Sequence, residues 1–237
     1  MVLGHKGMLG HMVVKYLSNL GYTIQTISHK FPSIEFESTV RNFNGDFIIN
    51  CIGAIPQRTN DFKINTDVPI WLSHNAPCNV IHPGTDCEMD NDVYGTSKRI
   101  ASEYIKLYSK NTKILKSSII GPEQGTANGL MAWLGAQSGE VQGYTNAIWN
   151  GNTTLEWSKQ AAELIHNWSN YKTETILESH PISKFNMLQL FAEYYDKKDL
   201  IITPVELGKD KCLIGEIKTK SLSEQLKELK QYYNATV

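Results

Sequence analysis

A doubly wound parallel α/β sheet is the fold class that the sequence predicts, on three observations. A glycine-rich turn, Gly4 to Gly10, sits between a short apolar run and a helical pattern. A near-continuous apolar stretch, DFIINCIGAI at 46–55, has the texture of a parallel strand covered on both faces. Runs of this kind then alternate with segments of helical spacing, as βαβ units require.

The elements follow in order. Met1-Val2-Leu3 is a first strand, cut short by Gly4. From His11 to Leu20 the apolar residues Met12, Val13, Tyr16, Leu17 and Leu20 mark a helix, and Gly21 suits its C-terminal end. Tyr22 to Ser28 alternates like a strand, and Asn79 to His82 reads as another. Tyr94 to Tyr108 carries a helical stripe of Ile100, Ala101, Tyr104, Ile105 and Tyr108, followed by a strand over Lys113–Ile120. Beyond Gly121 the chain becomes rich in Gly, Asn, Gln and Trp to about Asn152. Helices are expected at 154–168, 183–195 and 221–233, with Thr154 and Ser183 as caps of the first two.

The totals narrow the function. The chain has 237 residues, 41% of them hydrophobic and 20% charged, enough for a sizeable core without staples. A net charge of -1 marks no face for a nucleic-acid polymer. Cys51, Cys78, Cys87 and Cys212 are scattered and form no C-x-x-C pair, so we read reduced thiols in a cytoplasmic protein and expect no metal. No apolar run is long enough for a membrane span, and MVLGHKGMLG lacks the features of a signal peptide.

Gly4-His5-Lys6-Gly7-Met8-Leu9-Gly10 is G-x-x-G-x-x-G between strand and helix. Glycine there permits a tight turn, close approach to a pyrophosphate and close helix–strand packing, while the helix N-terminus offers N–H groups to the anion. We therefore expect dinucleotide binding by Gly4, Lys6, Gly7, Met8, Leu9 and Gly10. The second strand ends Ser28-His29-Lys30, without the acid that holds an NAD ribose. Lys6, His29 and Lys30 favour a 2′-phosphate, hence NADPH, with NADH as the alternative.

Tyr94 and Lys98 are at i and i+4 and share a helix face. A free phenol titrates at about 10, and a nearby ammonium is expected to lower that value and suit the tyrosine to acid–base work.

These residues together resemble the extended short-chain dehydrogenase/reductase superfamily, and within it the dTDP-4-dehydrorhamnose reductase group of nucleotide-sugar reductases. The resemblance is carried by GHKGMLG (4–10), INCIGA (49–54), INTDVP (64–69), GTDC (84–87), YGTSK (94–98), SSIIGPE (117–123) and GYTNAIWNGNTTLEWSK (143–159). It implies a Rossmann-like core over 1–121 and a small, mainly substrate-binding part over 122–237, packed as one compact unit with the core. It implies Thr85, Tyr94 and Lys98 as the catalytic set, with Tyr94 and Lys98 also reaching the cofactor. Asn50, Cys51, Ile52 and Gly53 match the strand end that lies along the cofactor. Asn65, Thr85, Trp149, Asn150 and Thr153 are the implied substrate contacts. Trp133, Tyr144 and Trp157 are further aromatic candidates, as pocket or as core. A homodimer is the expected assembly.

The implied reaction is NADPH-dependent reduction of the keto group of a nucleotide-linked 4-keto-6-deoxy sugar, in deoxysugar or rhamnose biosynthesis. Two other readings are open: a non-catalytic NADP-binding regulatory subunit, and a nucleotide-sugar epimerase of the same fold. Three departures bear on the choice. The first strand is short, and Thr85 and Tyr94 lie only nine positions apart, joined through CEMDNDV where the group has a longer loop. Thr85 is followed by Asp86-Cys87 rather than the Asp-Glu of the dehydratases, which speaks against dehydration.

Overall fold

A computed structural model describes residues 1–125 and 128–235. The chain divides into two compact units, Met1–Lys116 with Ser158–Thr175, and Ser117–Trp157 with Ile176–Val237. The first boundary falls a few residues before the expected 121/122, and 158–175 belongs with the N-terminal unit.

The first unit contains β1 (Val2–Leu3), α1 (Met8–Asn19), α2 (Ile34–Arg41), β2 (Phe47–Asn50), α3 (Ile64–Asn75), β3 (Asn79–Gly84), α4 (Val93–Tyr108) and β4 (Thr112–Lys116). The four strands are parallel neighbours in the order β1-β2-β3-β4. β1 has only two residues, both fully buried, aligned with Ile49 and Asn50 of β2. The 22–28 segment is not a strand. Among the described residues it makes one parallel bridge, from Thr26 to Val2, because β1 ends after two residues and offers no length to pair along.

Apolar spacing explains the packing. Phe36 and Val40 of α2 and Val68 and Leu72 of α3 meet Leu3, Ile48 and Val80 of the strands in one cluster, with Trp71 and Phe31 against it. At about 25 cal/mol per Å² of apolar area, each such buried side chain stabilises the fold by about 1.5–3 kcal/mol. α1 turns Met12, Val13 and Leu17 inward. It begins at Met8, earlier than the apolar pattern indicates, and stops before Gly21, whose φ of +88° suits the left-handed position after a helix.

The second unit contains β5 (Ile119–Ile120), α5 (Leu130–Ala136), β6 (Glu140–Tyr144), β7 (Ile148–Trp149), β8 (Asn152–Thr153), β10 (Ile182–Ser183), α7 (Lys184–Tyr194), β11 (Ile201–Val205), β12 (Ile217–Lys218) and α8 (Leu222–Asn234). Short ladders pair β5 with β8 and β6 with β11 in parallel, and β7 with β10 antiparallel. Helix α6 (Thr154–His166) and strand β9 (Glu174–Glu178) run through the unit boundaries, and β12 pairs in parallel with the end of β9 at Leu177 and Glu178. Ser183 caps α7 and Ser221 forms a capping box with Glu224 on α8. The cap of α6 is Thr153, whose Oγ1 accepts from the Glu156 N–H, rather than the expected Thr154. Among the described residues no helix is long and apolar enough to cross a membrane.

Candidate active site

The glycine turn is shaped by steric contact. Gly4 has a φ of +73°, and a Cβ there would stand 2.6 Å from the Cys51 carbonyl oxygen. A Cβ on Gly10 would stand 2.2 Å from the Gly4 oxygen, so glycine lets α1 lie against the turn. The Gly7 N–H closes the turn onto Gly4 O at 2.9 Å. Gly7 is also the N-cap of α1, and no side chain caps the helix there, which leaves the first-turn N–H groups without a side-chain acceptor at the cap.

Beside this turn is an open cavity of about 530 Å3. Gly4, Lys6, Gly7, His29, Lys30, Cys51, Ile52 and Gly53 line it, eight of the expected cofactor residues. Met8, Leu9 and Gly10 do not; they form the first turn of α1, with Leu9 and Gly10 buried. His5, Ile27, Ser28, Phe31 and Ile64 also line it and were not singled out. For Ile27 and Ser28 the signal was available, since they end the segment already read as leading to the ribose. The glycine turn and the Lys6, His29 and Lys30 side chains along the cavity together fit a phosphorylated dinucleotide.

Thr85 follows β3 and caps a 3-10 turn over Asp86–Met89. Asp92 caps α4 through the Gly95 N–H at 2.6 Å, which sets Tyr94 and Lys98 in its first turns. A Cβ on Gly95 would stand 2.2 Å from the Cys87 oxygen, so α4 is pressed onto the 3-10 turn. Arg99 fastens the same turn, donating to the carbonyls of Glu88 (2.8 Å) and Asp90 (3.1 Å). The short connection is thus a clamp. The Tyr94 ring meets Phe62 edge-on, with centroids 5.5 Å apart.

Lys98 is buried, and its Nζ lies 3.8 Å from the point a Gly53 Cβ would occupy, beside a residue that lines the cavity though Lys98 itself does not. Asn65 is spent within the protein. Its Oδ1 accepts the Ala54 N–H (2.7 Å), and its Nδ2 donates to Ala54 O (3.0 Å) and Ser97 Oγ (3.2 Å). It ties the loop after β2 to α4, one residue before Lys98. Asn50 Oδ1 accepts the Ile52 N–H, and its Nδ2 meets His82 Nδ1 at 3.2 Å.

The remaining expected substrate contacts lie in the second unit, buried and internally bonded. Trp149 Nε1 donates to Ser118 Oγ at 2.7 Å. Asn150 exchanges hydrogen bonds with the Leu213 backbone at 2.7 and 2.9 Å. Thr153 caps α6, and its N–H donates to Gln225 Oε1 at 2.8 Å. Trp157 is fully buried core, while Trp133 is exposed.

The electrostatics reverse one expectation. Burial first, then Cys87, Asp86, Asp92 and Glu88, push the Tyr94 phenol well above its ordinary value. Lys98 is lowered by burial, against which Glu88, Cys87 and Cys51 act. Burial pushes the Cys51 thiol up to about 12, opposed by Lys98. In the protein alone, desolvation and the neighbouring acids set the direction, and Tyr94 is a phenol throughout the neutral range.

A parallel sheet with a glycine-rich βα turn and a Tyr-x-x-x-Lys helix is a Rossmann-like, dinucleotide-binding type of architecture. The sequence matches no protein-family model and no curated protein. The structure resembles that of dTDP-4-dehydrorhamnose reductase from Bacillus anthracis, crystallised with NADP, with a TM-score of 0.79, 17% identity and 96% of each chain covered. It also resembles a dTDP-4-dehydrorhamnose reductase from Clostridium acetobutylicum (TM-score 0.71, 14% identity, 99% and 98% covered). A UDP-glucose 4-epimerase from Thermotoga maritima is similar as well (TM-score 0.69, 15% identity, 99% and 98% covered). These likenesses extend over nearly the whole chain and show the shared fold.

Proposed function

We propose that this chain is an NADPH-dependent reductase of a nucleotide-linked 4-keto-6-deoxy sugar. The observation that carries the reading is the position of Lys98, buried on α4 with its ammonium beside Gly53, a residue that lines the cavity at the glycine turn. That nearness supports a reading in which cofactor binding and acid–base chemistry share one site. The fold held in common with NADP-bound dTDP-4-dehydrorhamnose reductase supports the choice of substrate class.

When bound, a reduced nicotinamide would supply the hydride for the keto carbon. The residues of this chain do the rest. The first turn of α1 and Gly4, Gly7 and Gly53 receive the dinucleotide. Lys6, His29 and Lys30 hold the 2′-phosphate. Tyr94, kept protonated by burial and by Asp86, Asp92 and Glu88, gives its proton to the sugar oxygen as the carbonyl π pair moves onto it. Lys98 then faces the tyrosinate and stabilises it.

The experiment mixes the protein with NADPH and a freshly made dTDP- or UDP-linked 4-keto-6-deoxy sugar and follows loss of the reduced-nicotinamide absorbance. Tyr94→Phe is expected to lower turnover by about 10²- to 10⁴-fold. A second reading, a cofactor-binding subunit without sugar turnover, is favoured by the internal bonding of Trp149, Asn150 and Thr153. NADPH binding without reduction of any keto-sugar would move it ahead. Interconversion of sugars without net NADPH loss would point to the epimerase.

A further inference from the structure

Tyr94, Lys98 and Ser102 follow one another at four-residue steps along α4, so their side chains share one side of the helix. The third of these positions is tied down. The buried Ser102 hydroxyl donates to Glu88 Oε1 at 3.0 Å, and the same oxygen accepts the Thr85 N–H at 3.0 Å. The other oxygen, Oε2, lies 2.8 Å from Lys116 Nζ on β4. Lys116 reaches it across the end of β3 because its partner there is Gly84, where a Cβ would stand 3.0 Å from Lys116 Cβ and Cε. One carboxylate thus joins α4, β4 and the 3-10 turn.

The same contact brings a negative charge toward Lys98. Residues four apart on a helix have Cβ atoms about 5–6 Å from each other, so a carboxylate bonded to Ser102 lies one helical turn from the Lys98 stem. Lys98 is 8% exposed, and a buried ammonium is costly without an opposite charge. The titratable groups that act on it are Cys51 after β2, His82 on β3, and Cys87 and Glu88 in the 3-10 turn. Glu88 is the carboxylate of this set, and it favours the ammonium more than either thiol does. We infer that Glu88 is a positioning residue and the buried counter-ion of Lys98, fixing the Tyr94–Lys98 side of α4 through Ser102 while Lys116 anchors it from β4. The inference rests on and deepens the reductase reading, in which a charged Lys98 faces the tyrosinate.

The test is an NMR titration of the lysines in protein carrying a carbon label at lysine Cε, with Lys98→Met identifying the Lys98 signal. Glu88→Gln keeps an acceptor for Thr85 and Ser102 but removes the charge. It is expected to move the Lys98 titration down by about one pH unit, the effect of one charge acting through partly desolvated protein. Ser102→Ala keeps the charge and frees the helix. There the Lys98 titration is expected to stay near that of the wild type, while kcat for the keto-sugar falls by about 2- to 10-fold, the equivalent of one hydrogen bond. If Glu88→Gln does not fold, Glu88→Gln/Lys116→Met takes its place. With both partners gone, a downward movement shows that Glu88 was the nearer charge, and no movement or an upward one overturns the inference. An unmoved Lys98 in folded Glu88→Gln overturns the counter-ion, and wild-type kcat in Ser102→Ala overturns the positioning. The titration uses no substrate, so its outcome is separate from that of the reductase reading, which fails if the wild type reduces no keto-sugar.

Discussion

Lys116 Nζ lies 2.8 Å from Glu88 Oε2, with the two side chains only 11% and 7% exposed. The same ammonium is 2.6 Å from Glu174, and Glu88 Oε1 receives the Thr85 N–H and the Ser102 hydroxyl, each at 3.0 Å. Burial alone would depress Lys116, yet Glu88 and Glu174 hold its ammonium above the ordinary value. Lys116→Met strands a buried carboxylate and should cost about 3–5 kcal/mol. Adding Glu88→Gln removes the more buried of the two carboxylates that lose Lys116 and keeps an acceptor for Thr85 and Ser102. The double variant should then be more stable than Lys116→Met alone. Urea unfolding of both is the check, and an equal loss in the two would show that the pair is not coupled in this way.

The helix–turn contact at Gly10 should be far less tolerant than that at Gly7. An added methyl stands 2.2 Å from the Gly4 oxygen at Gly10 but 3.3 Å from it at Gly7. Gly10→Ala must push α1 off the turn, an overpacking cost of about 1–3 kcal/mol or more. NADPH affinity should fall with it, while Gly7→Ala keeps most of both. Fluorescence titration with NADPH, beside thermal unfolding, separates the two variants.

Lys6 and Lys30 line the cavity beside the glycine turn. If they meet a 2′-phosphate, Lys6→Ala and Lys30→Ala each weaken NADPH by about three- to tenfold, the effect of a solvent-exposed charged contact. NADH affinity should be nearly unchanged. Parallel weakening of NADH would place these lysines on the pyrophosphate instead.

The raised Tyr94 phenol sets the pH dependence of reduction. Its folded-state value lies above the ordinary one, through burial first and then Cys87, Asp86, Asp92 and Glu88, so the donor stays protonated as pH rises through the neutral range. Reduction should be flat between about pH 6 and 9 and fall only above about 10, the free-tyrosine value. A fall with a midpoint below pH 9 would show that the occupied site reverses this electrostatic balance.

The N-terminal half of the molecule was legible in the sequence because its signals are local. The glycine turn, the strand end at Asn50–Gly53 and the Tyr94/Lys98 helix depend on steric need and 3.6-residue spacing, and all three appear at the cavity or on the helix beside it. The strand read over 22–28 failed because alternation describes the segment but not its partner, and β1 is too short to pair with it. Asn65, Asn150 and Thr153 show a different limit. A buried amide or hydroxyl at a familiar motif position looks the same in sequence whether it faces a ligand or the Ala54, Leu213 and Glu156 backbone groups it bonds here. Nor was the direction of the Tyr94 shift readable, since spacing gives the nearness of an ammonium but not the depth of burial or the acids facing it.

His82 should make the fold sensitive to acid. Asn50 Oδ1 is committed to the Ile52 N–H at 3.1 Å, so its Nδ2 points to His82 Nδ1 at 3.2 Å and that nitrogen accepts. The ring proton is then on Nε2, which is buried and has no partner among the described residues. Protonating Nδ1 would set two donors face to face. Burial first, and then Lys98, hold the imidazole well below its ordinary value. In the unfolded chain a histidine takes up a proton near 6.5, while in the folded protein it stays neutral. The unfolded state thus binds more protons below that pH, and the stability that His82 contributes above it is lost as pH falls toward the depressed folded value. The expected slope is about 1.4 kcal/mol per pH unit below about pH 6.5. His82→Gln retains an acceptor for Asn50 and removes the titrating ring, so urea unfolding between pH 5 and 7 should show that slope in the wild type and a shallower one in the variant. Identical slopes would mean that His82 is reached by protons without unfolding and that the cluster of Asn50, His82 and Lys98 opens in the native state.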